Sequence, residues 1–188
     1  MTTDQIQQKH TEQIIRAEFE ATVHQRVRRY LEINHHNIVA NPKDTKFASV
    51  STECIDLFRD GYFYGCISLS QTVTEALSKF LCERNGFRPK KDFETNISKL
   101  RKKGFIDETT EENFKEIWKE RNDYHHLNNS VEIQLVKLEQ IAKLKIQTLA
   151  KIEKSIFDYS VNNGKIKPSN PQYWDFENGY TKVFLRLK

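Results

Sequence analysis

Glycine and proline are scarce in this chain, six and four of 188 residues, against an average usage of about 12% for the two together. A chain so poor in turn-formers is not a β-sandwich, a β-barrel or a collagen-like repeat. Cysteine is rarer still, and Cys54, Cys66 and Cys82 are odd in number with no CxxC spacing. That excludes a disulfide framework and a zinc ribbon, and the three read as core thiols in a reducing compartment. No apolar run approaches the roughly 18 residues of a membrane helix, and the start MTTDQIQQKH lacks the apolar segment of a secretory signal. The expectation is a cytoplasmic protein with no membrane partner. No internal repeat or low-complexity tract stands out.

What is present is charge and aromatic bulk. Charged residues make up 30% and hydrophobic ones 37%, with 12 Phe, 7 Tyr and 2 Trp, a supply of core-formers that a disordered chain lacks. The length suits one domain with an extension. The formal charge of +4 is unevenly spread. Arg84 to Lys103 holds eight Lys or Arg against Asp92 and Glu94, a net +6; Asp107 to Glu120 holds six acids against Lys115 and Lys119, a net −4. Separated charges of this kind can steer RNA or align two protomers, and equally suit a solvated surface.

Apolar spacing predicts an all-α bundle. A first helix spans about Gln7 to Asn34, with Ile15, Phe19, Val23, Val27, Tyr30 and Leu31 inward and Arg16, Arg26, Arg28 and Arg29 opposite. Asn41-Pro42 and Lys43-Asp44 form a turn, and a shorter helix follows from Ser49 to Arg59. A central core helix runs from Tyr62 to a cap at Asn85-Gly86, then a basic helix carries Phe93, Ile97 and Leu100 to Gly104. Asp107 and Thr109, with Glu112, start a helix that bears Phe114, Ile117 and Trp118 and continues into RNDYHH. Asn128-Asn129-Ser130 caps a long last helix to about Tyr159, with Leu135, Leu138, Ala142, Lys145, Leu149, Ile152 and Ile156 at heptad-like spacing. Residues 1–160 are thus the bundle, and 161–188 a C-terminal extension, docked or partner-binding, with a short hairpin around Glu177-Asn178-Gly179.

The chemistry concentrates in Arg121-Asn122-Asp123-Tyr124-His125-His126. On a continuous helix Arg121 falls on the stripe of Phe114 and Trp118, where a permanent charge needs an anionic partner such as Glu75. The bland reading is that RNDYHH only satisfies a helix junction. The functional one is that arginine grips phosphate oxygens while an imidazole moves a proton near neutral pH, a set suited to attack on RNA without a metal.

Arg121-Asn122 followed by three residues and His126 resembles the R-x4-6-H signature of HEPN domains, in which a polar residue commonly follows the arginine. The order of helices around it, from roughly Thr11 to Ser160, is similar to the HEPN bundle. The resemblance implies a homodimer with facing motifs, a composite metal-independent endoribonuclease site without cofactor, Arg121 and His126 catalytic, Asn122 positioning them, and a setting of defence, stress or toxin–antitoxin control with a possible antitoxin or regulatory protein. One group of HEPN toxins carries a tyrosine two residues after the histidine; Asn128 stands there in this chain. Residues five apart on a regular helix point about 140° apart, which suits a composite site, whereas His125 lies only about 40° from Arg121 and is the geometric rival.

Other candidates are weaker. Glu75, with Ser68, Gln71 and Lys79, is a solvated polar stripe or an acid that orients Arg121 or a histidine. Lys102 and Lys103 in the basic stretch are candidate RNA-binding residues. His35-His36 has no third ligand at metal spacing, and Cys66 lies on an apolar stripe without an activating base. Tyr173, Trp174 and Phe176 dock on the bundle or a second subunit, or stack bases. The alternative to an enzyme is a non-catalytic helical module that binds RNA, a nucleotide or a protein.

Overall fold

A computed structural model describes residues 2–43, 45–126 and 128–186. Asp44, part of the expected turn, lies outside the described residues. The architecture is mostly helical, with small antiparallel sheets, in the element order α1 (Thr3–Leu31), β1 (Ile38–Ala40), α2 (Phe47–Asp60), α3 (Phe63–Arg84), α4 (Phe93–Lys102), α5 (Glu108–Trp118), α6 (Arg121–His126) and α7 (Leu135–Ile156). Strands β2 (Tyr159–Asn162), β3 (Lys165–Pro168), β4 (Phe176–Glu177), β5 (Tyr180–Thr181) and β6 (Val183–Leu185) follow. No helix among the described residues is long and apolar enough to cross a membrane.

The core sits around α3, which packs against α2, α4, α5, α6 and α7. Its buried Cys66, Ile67, Val73, Leu77 and Leu81 recur at the helical period that the sequence displays, and meet Phe58 of α2, Leu100 of α4, Phe114 of α5 and Leu149 of α7 in one cluster. Helix α2 ends at Gly61, whose φ of +89° is a left-handed cap; a Cβ there would lie 3.0 Å from a nitrogen of Arg29.

Several expectations are corrected. Helix α1 starts at Thr3, where Thr2 and Gln5 form a capping box. Most of its apolar stripe is not inward: Ile15 is 60% exposed, Phe19 50%, Val27 53% and Leu31 77%, while Val23 and Tyr30 are half-buried and Tyr30 packs against the core. The buried residue is Arg29, expected to face solvent; its guanidinium lies over the Phe63 ring at 4.9 Å and donates to Glu139 at 3.2 Å. Helix α5 starts at Asp107, whose side chain accepts from Thr110 N, and Thr109 is not its cap. It does not run on into RNDYHH. Lys119 is extended and Glu120 left-handed (φ 59°), and α6 restarts at Arg121. Helix α7 starts at Leu135 after an uncapped Gln134, seven residues later than Asn128, so Leu135 is exposed.

The break after α5 has a physical cause. Carbonyls at a helix end lack intrahelical donors, and two buried side chains meet two of those here: Gln71 Nε2 donates to the carbonyls of Ile117 and Lys119, both at 3.1 Å, and Lys145 Nζ to the same two at 2.9 and 3.1 Å. Gln71, read as part of a solvated stripe, is fully buried for this reason. Lys145 is a cation at a helix C-terminus, the favourable end of the dipole.

The C-terminal segment is more than one hairpin. Strands β2 and β3 pair across Asn163-Gly164, β4 and β5 across Asn178-Gly179, and β6 returns to pair antiparallel with β1, Val39 opposite Phe184. Tyr173 and Trp174 are buried on the bundle, against Phe80 and Phe157, while Phe176 stays exposed. Arg186 is buried, donates to both oxygens of Glu153 at 2.9 Å, and bonds Ser51 and Thr52.

Candidate active site

Arg121 is placed by three neighbours. The left-handed turn at Glu120 swings it off the α5 stripe, and its guanidinium lies over the Trp118 ring at 4.8 Å. Trp118 in turn stacks on Phe93 at 4.0 Å and 16°, so an aromatic pair forms a platform under the cation. On the other side Glu75 Oε2 of α3 lies 3.6 Å from Arg121, while its Oε1 binds Lys79 at 2.6 Å. Glu75 thus sits between two cations, and the Arg121 pair is long and partly exposed, which makes it weak.

His125, one turn on, shares the face of Arg121. Burial holds its imidazole below the ordinary histidine value, with the charges of Arg121 and His126 pushing the same way, and a hydrogen bond to the Ser68 backbone and the charge of Glu75 pushing back. His126 and Asn122 are exposed on the same short helix. Tyr124 points inward: it is buried, its ring packs on Tyr64 at 5.5 Å, and the Tyr64 hydroxyl donates to the Tyr124 carbonyl. Burial pushes the Tyr124 phenol up to about 12. Asn128 caps the far end of α6 on Asp123, its Nδ2 2.9 Å from Oδ1.

Arg121, Glu75 and His125 are therefore brought together, with Asn122 and His126 displayed beside them. Lys102 and Lys103 are not part of this group. They end α4, whereas Phe93 begins it, about 14 Å along the helix axis. The basic and acidic stretches partly neutralise one another, since Arg101 lies 3.8 Å from both Glu108 and Glu111. Sequence reasoning missed Trp118 as a cation platform and Lys145 with Gln71 as holders of the break. A lysine at a heptad core position was the available signal for the second.

Cys66 is fully buried and burial pushes its thiol up to about 12, which is no nucleophile. Among the described residues no group of three His, Cys, Asp or Glu side chains is arranged to hold a metal ion. Comparison with known proteins adds no relative: no family model, no curated protein and no solved structure matches the chain.

Proposed function

We propose that this chain is a HEPN-type helical bundle and a metal-independent endoribonuclease acting as a homodimer, with Arg121 and His126 catalytic. The observation that carries the reading is Arg121 held at an exposed helix start by Trp118 and Glu75, with two imidazoles in the next turn. Both imidazoles are exposed; His126 is assigned to RNA because it stands at the spacing of the HEPN signature, and His125, one turn from Arg121, supports the site beside it.

In the reaction an imidazole takes the ribose 2′-OH proton, the 2′ oxygen bonds to phosphorus, and the P–O5′ bond breaks, the leaving oxygen taking a proton from an imidazolium. Arg121 stabilises charge on the phosphoryl oxygens, exchanging its long contact with Glu75 for a bidentate one with phosphate. The resemblance places this chemistry in defence, stress response or toxin–antitoxin control in the cytoplasm, with an antitoxin or regulatory protein as a possible further partner.

The purified chain cuts RNA in EDTA on this reading, and Arg121→Ala or His126→Ala abolishes cutting while the helical circular dichroism is retained. Cutting that survives both substitutions removes it. RNA binding without products, undiminished by His126→Ala, selects the non-catalytic reading instead.

A further inference from the structure

Helices α3 and α4 end in the same way. After each comes a left-handed glycine, Gly86 (φ 75°) and Gly104 (φ 74°), and then a phenylalanine whose amide reaches back to the last turn: Phe87 N donates to the Cys82 carbonyl at 2.8 Å, and Phe105 N to the Leu100 carbonyl at 3.0 Å. The two helix ends thus deliver two rings to one corner of the bundle. They meet edge to face with centroids 5.6 Å apart, Lys99 Nζ lies over the Phe87 ring at 4.2 Å, and Phe105 is 37% exposed.

The rings stand among cations that the fold leaves unpaired. Arg88, Lys90, Lys91, Lys102 and Lys103 are exposed and Lys99 is half-buried, and none of the six forms an ion pair among the described residues. Arg101, by contrast, is drawn to Glu108 and Glu111 at 3.8 Å. The loop that carries Arg88 to Lys91 is pinned to α4, because buried Asn96 accepts from Lys90 N at 2.8 Å and donates to the Lys90 carbonyl at 2.9 Å. A shallow groove of about 550 Å³ runs along α4 past Thr95, Ser98, Lys99, Lys102 and Lys103, with Asp92 and Glu94 at its other end. Asp92 is turned to its own helix as the N-cap, accepting from Thr95 N at 2.7 Å, so Glu94 is the acid left facing the six cations. Attraction to the helix C-terminus accounts for Lys102 and Lys103 in or beside the last turn. It does not account for Arg88, Lys90 and Lys91, which lie outside any helix.

We infer that this corner is a binding surface for single-stranded RNA, in which the lysines of α4 and the pinned loop hold phosphates and an unpaired base stacks on Phe105. Unpaired cations supply the part of the affinity that any nucleic acid backbone shares. An exposed ring beside them supplies the part that needs an unstacked base, which a duplex does not offer; an acidic peptide would be met by the charges alone. The surface is distinct from the RNDYHH group. Lys102 lies about 14 Å along α4 from Phe93, which supports Trp118 under Arg121, so a strand is held away from the point at which it is cut. The choice of RNA over another single strand rests on the ribonuclease reading, whereas the surface itself makes no use of the cleavage chemistry.

Fluorescence anisotropy of the full chain with a labelled, fully 2′-O-methylated single strand tests it, since that strand has no 2′-OH to attack and binding is read apart from cutting. The wild type binds the strand more weakly as salt rises. Lys102→Gln combined with Lys103→Gln flattens the slope of log affinity against log salt by about 1.4, the share of two phosphate contacts on a single strand. Phe105→Leu weakens binding about 5-fold or more, and Phe105→Tyr, which keeps the ring, leaves it unchanged. Thermal unfolding of these variants matches the wild type, the altered side chains being exposed. No binding, an unaltered salt slope, equal affinity in the two Phe105 variants, a duplex held as tightly as the single strand, or tighter retention on phosphatidylserine vesicles through the same lysines overturns the inference. A chain that binds the strand as expected yet leaves unmodified RNA intact in EDTA keeps the surface and removes the ribonuclease.

Discussion

Arg186, the residue after β6, and Glu153 of α7 form a buried ion pair, both carboxylate oxygens lying 2.9 Å from one guanidinium nitrogen. With the β1–β6 ladder, this pair fastens the end of the chain over the bundle. A buried charge stripped of its partner is strongly destabilising, whereas replacing both by apolar groups is often neutral.

Arg186→Ala is accordingly expected to lower unfolding stability by about 3–5 kcal/mol, measured by chemical denaturation. Arg186→Met combined with Glu153→Leu should recover most of the loss. Equal losses in the single and double variants would contradict the pairing as the cause.

The break between α5 and α6 depends on donors brought from elsewhere. Lys145→Met removes the ammonium from the carbonyls of Ile117 and Lys119, at an expected cost of about 1–3 kcal/mol. RNA cutting should fall with it, since Arg121 is aimed by that break. An unchanged melting temperature would show that Gln71, which donates to the same two carbonyls, is enough to hold the break.

Gly61→Ala must hold a left-handed residue against Arg29. The left-handed conformation alone costs a Cβ-bearing residue about 1–2 kcal/mol. The expected result is a loss of that size or more in chemical denaturation; a loss below a few tenths would mean that the turn relaxes.

His125 and His35 both have imidazoles held below the ordinary value, in each case first by burial. A lowered folded value means that, as pH falls through about 6.5, the unfolded chain takes up protons first. Their effect on stability is therefore absent above that pH and grows as a loss below it. Denaturation midpoints should drop between about pH 7 and 5, and His125→Gln should flatten the slope. An unaltered slope would sink the assignment to His125.

The parts of the fold readable in the sequence are those whose partners are close or numerous. The stripe Phe93, Ile97 and Leu100 predicts α4, and the apolar row of α3 predicts the central helix, because both are buried on the face their spacing defines. What was not readable depends on distant partners. Arg29 is buried because Glu139, 110 residues away, and Phe63 receive it. Strand β6 exists only through β1, about 145 residues earlier. The α1 stripe misleads for the opposite reason, since the described residues cover Val23 and Tyr30 in part and leave Ile15, Phe19, Val27 and Leu31 exposed. At the candidate site the link from Arg121 to Glu75 was readable as a charge needing an anion, but the Trp118 platform needed the left-handed turn at Glu120.

The most direct test of the ribonuclease reading is the chemistry of the product ends. Labelled single-stranded RNA incubated with the purified full chain in EDTA should yield fragments ending in 2′,3′-cyclic phosphate and beginning with 5′-OH, and Arg121→Ala should yield none. Intact RNA, or products with 5′-phosphate ends, would contradict attack by the 2′-OH and with it the proposed function.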